Sequence, residues 1–190
     1  MGERIKRSAG AGMPYAIELY FDAASESRLY SLWDEFARFG ESSMRNVESR
    51  PHVSLAVAGA VDLTATCDLL NQFGRSTKAF PMSLRSLGFF IFRGRIAYLA
   101  PKVTPELLAL HERFFIEFSF VASGIWRYYE PAVWVPHCTV SVGLLPQNLA
   151  SAFEACETFG LPLECHMVEI GLSESRFDPV KQLHTAPLIA

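Results

Sequence analysis

The hydrophobic period changes repeatedly along this 190-residue chain, and that alternation constrains the fold more than any other feature. Tyr15, Ile17, Leu19 and Phe21 alternate with Ala16, Glu18 and Tyr20, the period of a strand. From Asp22 the spacing becomes helical: Leu29, Leu32, Trp33 and Phe36 share one face, and Gly40 supplies a stop. Residues 41–50 are polar and read as a loop, and Pro51 to Val57 as a second strand. Asp62 is a good N-cap for a helix through Leu63, Cys67 and Leu70 to Gly74. Phe80 to Phe90 and Arg95 to Ala100 read as strands joined by a tight turn at Arg93-Gly94. Thr104-Pro105-Glu106 opens a helix with a cap, a proline in the first turn and an acid near the positive dipole end. Leu107, Leu110, Phe114 and Phe118 are its apolar stripe. A loop follows, then a strand from Trp134 to Val142 and a helix capped by Asn148 that runs to Gly160. Leu163 to Leu172 and Val180 to Pro187 are the last strands.

The order repeats. Strand, helix, strand, helix, strand, strand is followed by helix, strand, helix, strand, strand. Phe73-Gly74 and Phe80-Pro81 correspond to Phe159-Gly160 and Leu161-Pro162. These marks predict a duplicated unit, with pseudo-repeats over about 14–101 and 102–190, in one domain spanning 14–190 after a flexible leader of residues 1–13. Two related lobes would each present one equivalent strand to a shared cleft.

Those strands carry the clearest chemical signal. One holds Pro51-His52-Val53-Ser54-Leu55 and the other Pro136-His137-Cys138-Thr139-Val140. Residues i and i+2 of a strand share a face, so His52 points with Ser54 and His137 with Thr139. Val53 and Cys138 then face the core, which makes Cys138 a small buried hydrophobe rather than a nucleophile. Ser and Thr are roughly one residue in eight, so five histidines give about half a His-x-(Ser/Thr) match by chance. The preceding proline, the strand context and the similar place in each half give the pair its weight.

Two imidazoles on one phosphate can divide acid and base duties. A neutral histidine takes a proton from water or a ribose hydroxyl, and a protonated one supplies the departing oxygen. The hydroxyls two residues on can hydrogen-bond the non-bridging oxygens. This chemistry requires no metal and no cofactor.

With these motifs the chain resembles the two-histidine (2H) phosphoesterase superfamily, the 2′-5′ RNA ligase-like or cyclic phosphodiesterase family, which is defined by two such motifs in duplicated lobes. The resemblance runs from the strand near Tyr15 to the one near Pro187. Tyr15 to Asp22 and Trp134-Val135-Pro136-His137-Cys138 look most similar to a plant-type branch of RNA ligase or cyclic nucleotide phosphodiesterase-like proteins. The resemblance implies an α+β, bilobal duplicated fold: two mostly antiparallel sheets form a central cleft, with helices packed outside. It implies metal-independent hydrolysis of 2′,3′-cyclic nucleotides or related 2′-linked phosphodiesters. It carries the catalytic pair onto His52 and His137, and the phosphate-binding hydroxyls onto Ser54 and Thr139.

Further candidates come from the residues themselves. Arg50 shares the His52 face if the strand extends that far, and could clamp a phosphate. Tyr129, with Trp126 and Tyr128, could stack a nucleobase or else close the core. His111, between helix charges, reads as an ordinary surface histidine. Net charge is −3, which favours a small nucleotide cyclic phosphate or an RNA terminus as partner over long RNA. No apolar run is long enough to span a bilayer, and the basic leader lacks a secretory apolar segment. The four cysteines show no C-x-x-C pairing. A cytoplasmic or nuclear monomer with reduced thiols is the expectation. The alternatives to a phosphodiesterase are a non-catalytic nucleotide- or RNA-binding module and a 2′-5′ RNA ligase acting on RNA ends.

Overall fold

A computed structural model describes residues 14–39, 42–44, 47–91, 95–174 and 179–190. The leader, the Gly40 stop and the Arg93-Gly94 turn lie outside these residues. β1 (Tyr15–Phe21) leads through the Asp22 cap, whose carboxylate accepts from the Ser25 N–H, into α1 (Ala23–Ala37). A two-residue β2 (Ser42–Ser43) interrupts the expected loop, and β3 (His52–Val61) follows. β3 runs longer than the sequence pattern because Ala58, Ala60 and Val61 pair with β6 (Ala122–Ile125), a short strand without a pattern of its own.

α2 (Leu63–Ser76) starts at the Asp62 cap but does not stop at Gly74. Gly74 stays inside the helix, where a Cβ would lie 2.6 Å from the Pro187 carbonyl oxygen, so glycine there lets β9 (Lys181–Pro187) approach the helix. β4 (Phe80–Phe90), β5 (Ile96–Pro101) and α3 (Pro105–Phe118, capped by Thr104) match their predicted spans closely. β7 spans only Cys138–Val142, leaving 134–137 irregular ahead of it. Pro136 has no N–H for a ladder. Gly160 ends α4 (Leu149–Phe159) in the left-handed region at φ 78°. Asn148 precedes α4 without a side-chain cap, and its amide nitrogen donates to the Phe39 carbonyl. β8 (Leu163–Glu174) is the longest strand.

The architecture is α+β, with four α-helices among the described residues. The strands join in one antiparallel sheet of order β2-β7-β5-β4-β8-β1-β3-β6, rather than in two separate sheets. β8 makes the junction. Its first part pairs with β4 and its second with β9 on the same edge, while β1 takes the other edge. The β8-β1-β3 set and the β4-β5-β7 set each draw strands from both halves of the chain. α1 and α4 pack together, with α1 on β7, while α2 contacts α3 and β9, and α3 contacts β3.

Four strands separate β3 from β7 in the sheet. In a flat sheet that is roughly 24 Å. The two nonetheless touch, so the sheet rolls strongly about the β4–β8 seam. Burial drives the closure. Ile17, Leu19, Val53, Leu55, Leu99, Cys138, Ile170 and Leu172 are all fully enclosed in one core with Trp33, Phe36, Phe73 and Phe114.

Candidate active site

The rolled sheet brings the two His-x-(Ser/Thr) motifs together. The Cys138 thiol lies within hydrogen-bonding reach of the His52 backbone N–H. Val53 and Cys138 are both fully buried, as alternation requires, and burial pushes the Cys138 thiol up to about 12. It is a packed thiol at neutral pH, not a nucleophile.

Each motif is held by the same two devices. His52 Nδ1 donates to the Arg50 carbonyl at 2.6 Å, and His137 Nδ1 donates to the Val135 carbonyl at 2.8 Å. A carbonyl only accepts, so both rings carry their first proton on Nδ1 and present Nε2 as the working nitrogen. Then each hydroxyl residue has its own carbonyl pinned by an indole. Trp134 Nε1 donates to Ser54 O at 3.1 Å, and Trp33 Nε1 to Thr139 O at 3.0 Å. Both tryptophans are buried, so each indole N–H needs a partner and the motif backbone supplies it.

A register shift between Ile17 and Glu18 places a bulge in β3 at Leu55. The Leu55 carbonyl accepts from His111 Nε2 at 2.9 Å. His111 is therefore not a surface residue: it is 1% exposed and its ring stacks flat on Trp134 at 3.8 Å. Helix charges beside it in sequence point elsewhere on α3; the ring faces the bulge. Burial, partly offset by the Leu55 hydrogen bond, lowers its pKa to about 4, so it is neutral at pH 7.

The neighbouring strands treat the histidines differently. Opposite Ser54 on β1 stands Glu18, and opposite Thr139 on β5 stands Tyr98. The Tyr98 ring stacks on Phe90 at 4.3 Å, and both rings meet His137 near edge-on, at 5.4 and 4.9 Å. Glu18 Oε1 instead lies 3.3 Å from His52 Nε2. Glu18 is not among the sequence-derived candidates. Its signal was a carboxylate in the middle of an otherwise apolar strand.

A family model described as the 2′-5′ RNA ligase superfamily matches residues 23–178. The chain belongs to the 2′-5′ RNA ligase superfamily. Escherichia coli LigT in its apo form has the same fold, with a TM-score of 0.63 at 16% identity over 95% of this chain and 100% of that one. LigT complexed with 3′-AMP gives 0.62 at 15% identity over 95% and 100%. TT0787 of Thermus thermophilus gives 0.63 at 15% over 93% and 98%. No curated protein matches the chain significantly.

In this superfamily member Arg50 does lie beside the His52 motif, but its guanidinium is already occupied. Nε and one terminal nitrogen bond Glu26 at 3.2 and 2.9 Å, and the other bonds Glu169 at 2.6 Å. Burial works against its charge, and the two carboxylates outweigh burial and keep it protonated. The phosphate clamp expected of Arg50 gives way to a structural one, because α1 and β8 deliver acids that its sequence neighbours do not reveal. Tyr129 is half-buried against the core, whereas Trp126 and Tyr128 are exposed. His184 meets Asn71 at 3.0 Å, away from both motifs. Among the described residues no group of three or more His, Cys, Asp or Glu side chains could hold a metal ion. No helix there is long and apolar enough to cross a membrane.

Proposed function

We propose that this superfamily member is a phosphodiesterase that hydrolyses 2′,3′-cyclic nucleotides or related 2′-linked phosphodiesters without a metal. The observation that carries the reading is the matched anchoring of the motifs: two Nδ1-pinned imidazoles and two indole-pinned hydroxyl residues, on segments that the roll of the sheet brings into contact. Such anchoring suits a site that must hold two proton-transfer groups still.

In the mechanism, Ser54 and Thr139 hydrogen-bond the non-bridging oxygens of the substrate. One Nε2 takes a proton from the attacking water. The other donates its proton to the ribose oxygen as the P–O bond breaks. His52, whose Nε2 lies 3.3 Å from Glu18 Oε1, and His137 are the two members of the pair. Each transfer contributes about 10²- to 10⁴-fold. E. coli LigT has been crystallised with 3′-AMP and with ATP, which supports a nucleotide-sized ligand here. A location in the cytoplasm and a monomeric state belong to the same proposal.

The test is turnover of a 2′,3′-cyclic nucleotide panel with EDTA present, products resolved by chromatography, with His52→Ala and His137→Ala alongside. Turnover that survives EDTA and falls by at least about 10²-fold in each variant is expected. Turnover that EDTA abolishes, or that either variant retains, defeats the reading.

A further inference from the structure

Among the described residues, β3 has no strand on its outer edge along the stretch that carries the first motif. β6 pairs with β3 only from Ala58 onward, and the facing segment, 134–137, lies ahead of β7. On the inner edge, β1 places Tyr20 opposite His52 and Glu18 opposite Ser54. The outer edge therefore carries backbone groups that need other partners. Side chains supply most of them. The His52 N–H points to the Cys138 thiol. The Ser54 carbonyl accepts from Trp134 Nε1 at 3.1 Å, and the Leu55 carbonyl from His111 Nε2 at 2.9 Å. Farther along, the Val57 carbonyl accepts from the Trp126 N–H at 2.8 Å.

Two of these partners flank His137. Trp134 precedes it in the sequence and Cys138 follows it directly. Trp134, Pro136 and Cys138 are buried, whereas Val135 is exposed and His137 partly so. Strand-like alternation thus persists where no ladder enforces it. Trp134 and Cys138 turn toward β3, and His137 turns away from them, with Nδ1 on the Val135 carbonyl.

The two anchors grip β3 on either side of Val53, one at the His52 nitrogen and one at the Ser54 carbonyl. Each joins the backbone of the first motif to the segment that carries the second. A single bond would leave that segment free to pivot, whereas two fix both a distance and an angle. The Trp134 end is stiff in its own right. Its indole is buried, and the His111 ring lies on it at 3.8 Å with 4° between the planes. The Cys138 end is fully buried and its thiol stays protonated at neutral pH.

We propose that Trp134 and Cys138 form a two-point strut that sets the separation and angle of the His52 and His137 rings. They are positioning residues: their polar atoms are spent on the β3 backbone, and they act through the histidines. The proposal rests on the phosphodiesterase reading, in which both rings serve one phosphate. Proton transfer from two sides depends on that separation, and a misplacement of about 1 Å costs on the order of 10²-fold in rate.

The test uses Trp134→Phe, which keeps a ring against His111 without the indole N–H, and Cys138→Val, which keeps an apolar side chain without the acceptor. With a 2′,3′-cyclic nucleotide as substrate, kcat should fall by about 10- to 100-fold in each, while KM changes by less than about threefold. A folded variant of either kind with kcat within about threefold of wild type, or with its loss in KM instead, overturns the proposal. Cys138→Val carries the kinetic test if Trp134→Phe does not fold. Amide hydrogen exchange reads the strut without turnover. In Trp134→Phe the Cys138 acceptor remains, so a loss confined to Ser54 leaves the His52 amide as it was. The strut requires that amide to exchange at least about tenfold faster relative to the amides of the β4–β8 ladder. An unchanged ratio overturns the proposal even in an active enzyme. If the ratio rises while the wild type turns over no phosphodiester, the strut stands and the phosphodiesterase reading falls.

Discussion

Acid should weaken this fold through His111, and the size of the effect follows from its surroundings. The ring is buried against Trp134, and burial outweighs its hydrogen bond to Leu55 O, so it titrates at about 4 in the folded protein. In the unfolded chain it titrates at about 6.5. Between these values the unfolded state binds a proton that the folded state refuses. The stability from neutral His111 is present above about 6.5 and is lost as pH falls toward 4. The loss from this one group is about 2 kcal/mol by pH 5 and about 3 kcal/mol by pH 4, where it levels off. Urea unfolding at pH 7, 6, 5 and 4 would measure it, comparing wild type with His111→Gln, whose amide can still donate to Leu55 O. The variant loses the stacking and is weaker at every pH, but its stability should fall less steeply with acid by about those amounts. Asp22, also lowered in the fold, acts only below its ordinary carboxylate range and leaves this window clear. Parallel pH dependences in the two proteins would refute the argument.

Two other outcomes follow from packing. In Gly88→Ala the new Cβ would lie 2.5 Å from the Tyr98 ring, which must move and release its edge contact with His137. We expect a stability loss of about 1–3 kcal/mol with a larger drop in kcat than in substrate affinity, read by urea unfolding and steady-state kinetics; unchanged kcat would count against a positioning role for Tyr98. Cys138 and Cys165, both held near 12 by burial, should resist iodoacetamide at pH 8 in the folded protein, while the half-exposed Cys67 reacts first in a mass-spectrometric time course.

Much of the site was readable from local pattern, because alternation along a strand is a short-range rule. It sent Val53 and Cys138 into the core. Caps at Asp22, Asp62 and Thr104 were legible for the same reason: a cap acts on an N–H three residues away. The order of strands and helices, and with it the α+β class, also follows from the sequence alone. What was not legible depends on register and closure. Glu18 reaches His52 only because β1 pairs with β3 across a bulge, and His111 leaves the surface only because α3 packs over that bulge. Arg50 turns from a ligand clamp into a structural one because its acids lie 24 and 119 residues away. Strand register and helix docking decided all three, since burial of apolar side chains rewards packing as a whole and leaves no mark at any one position.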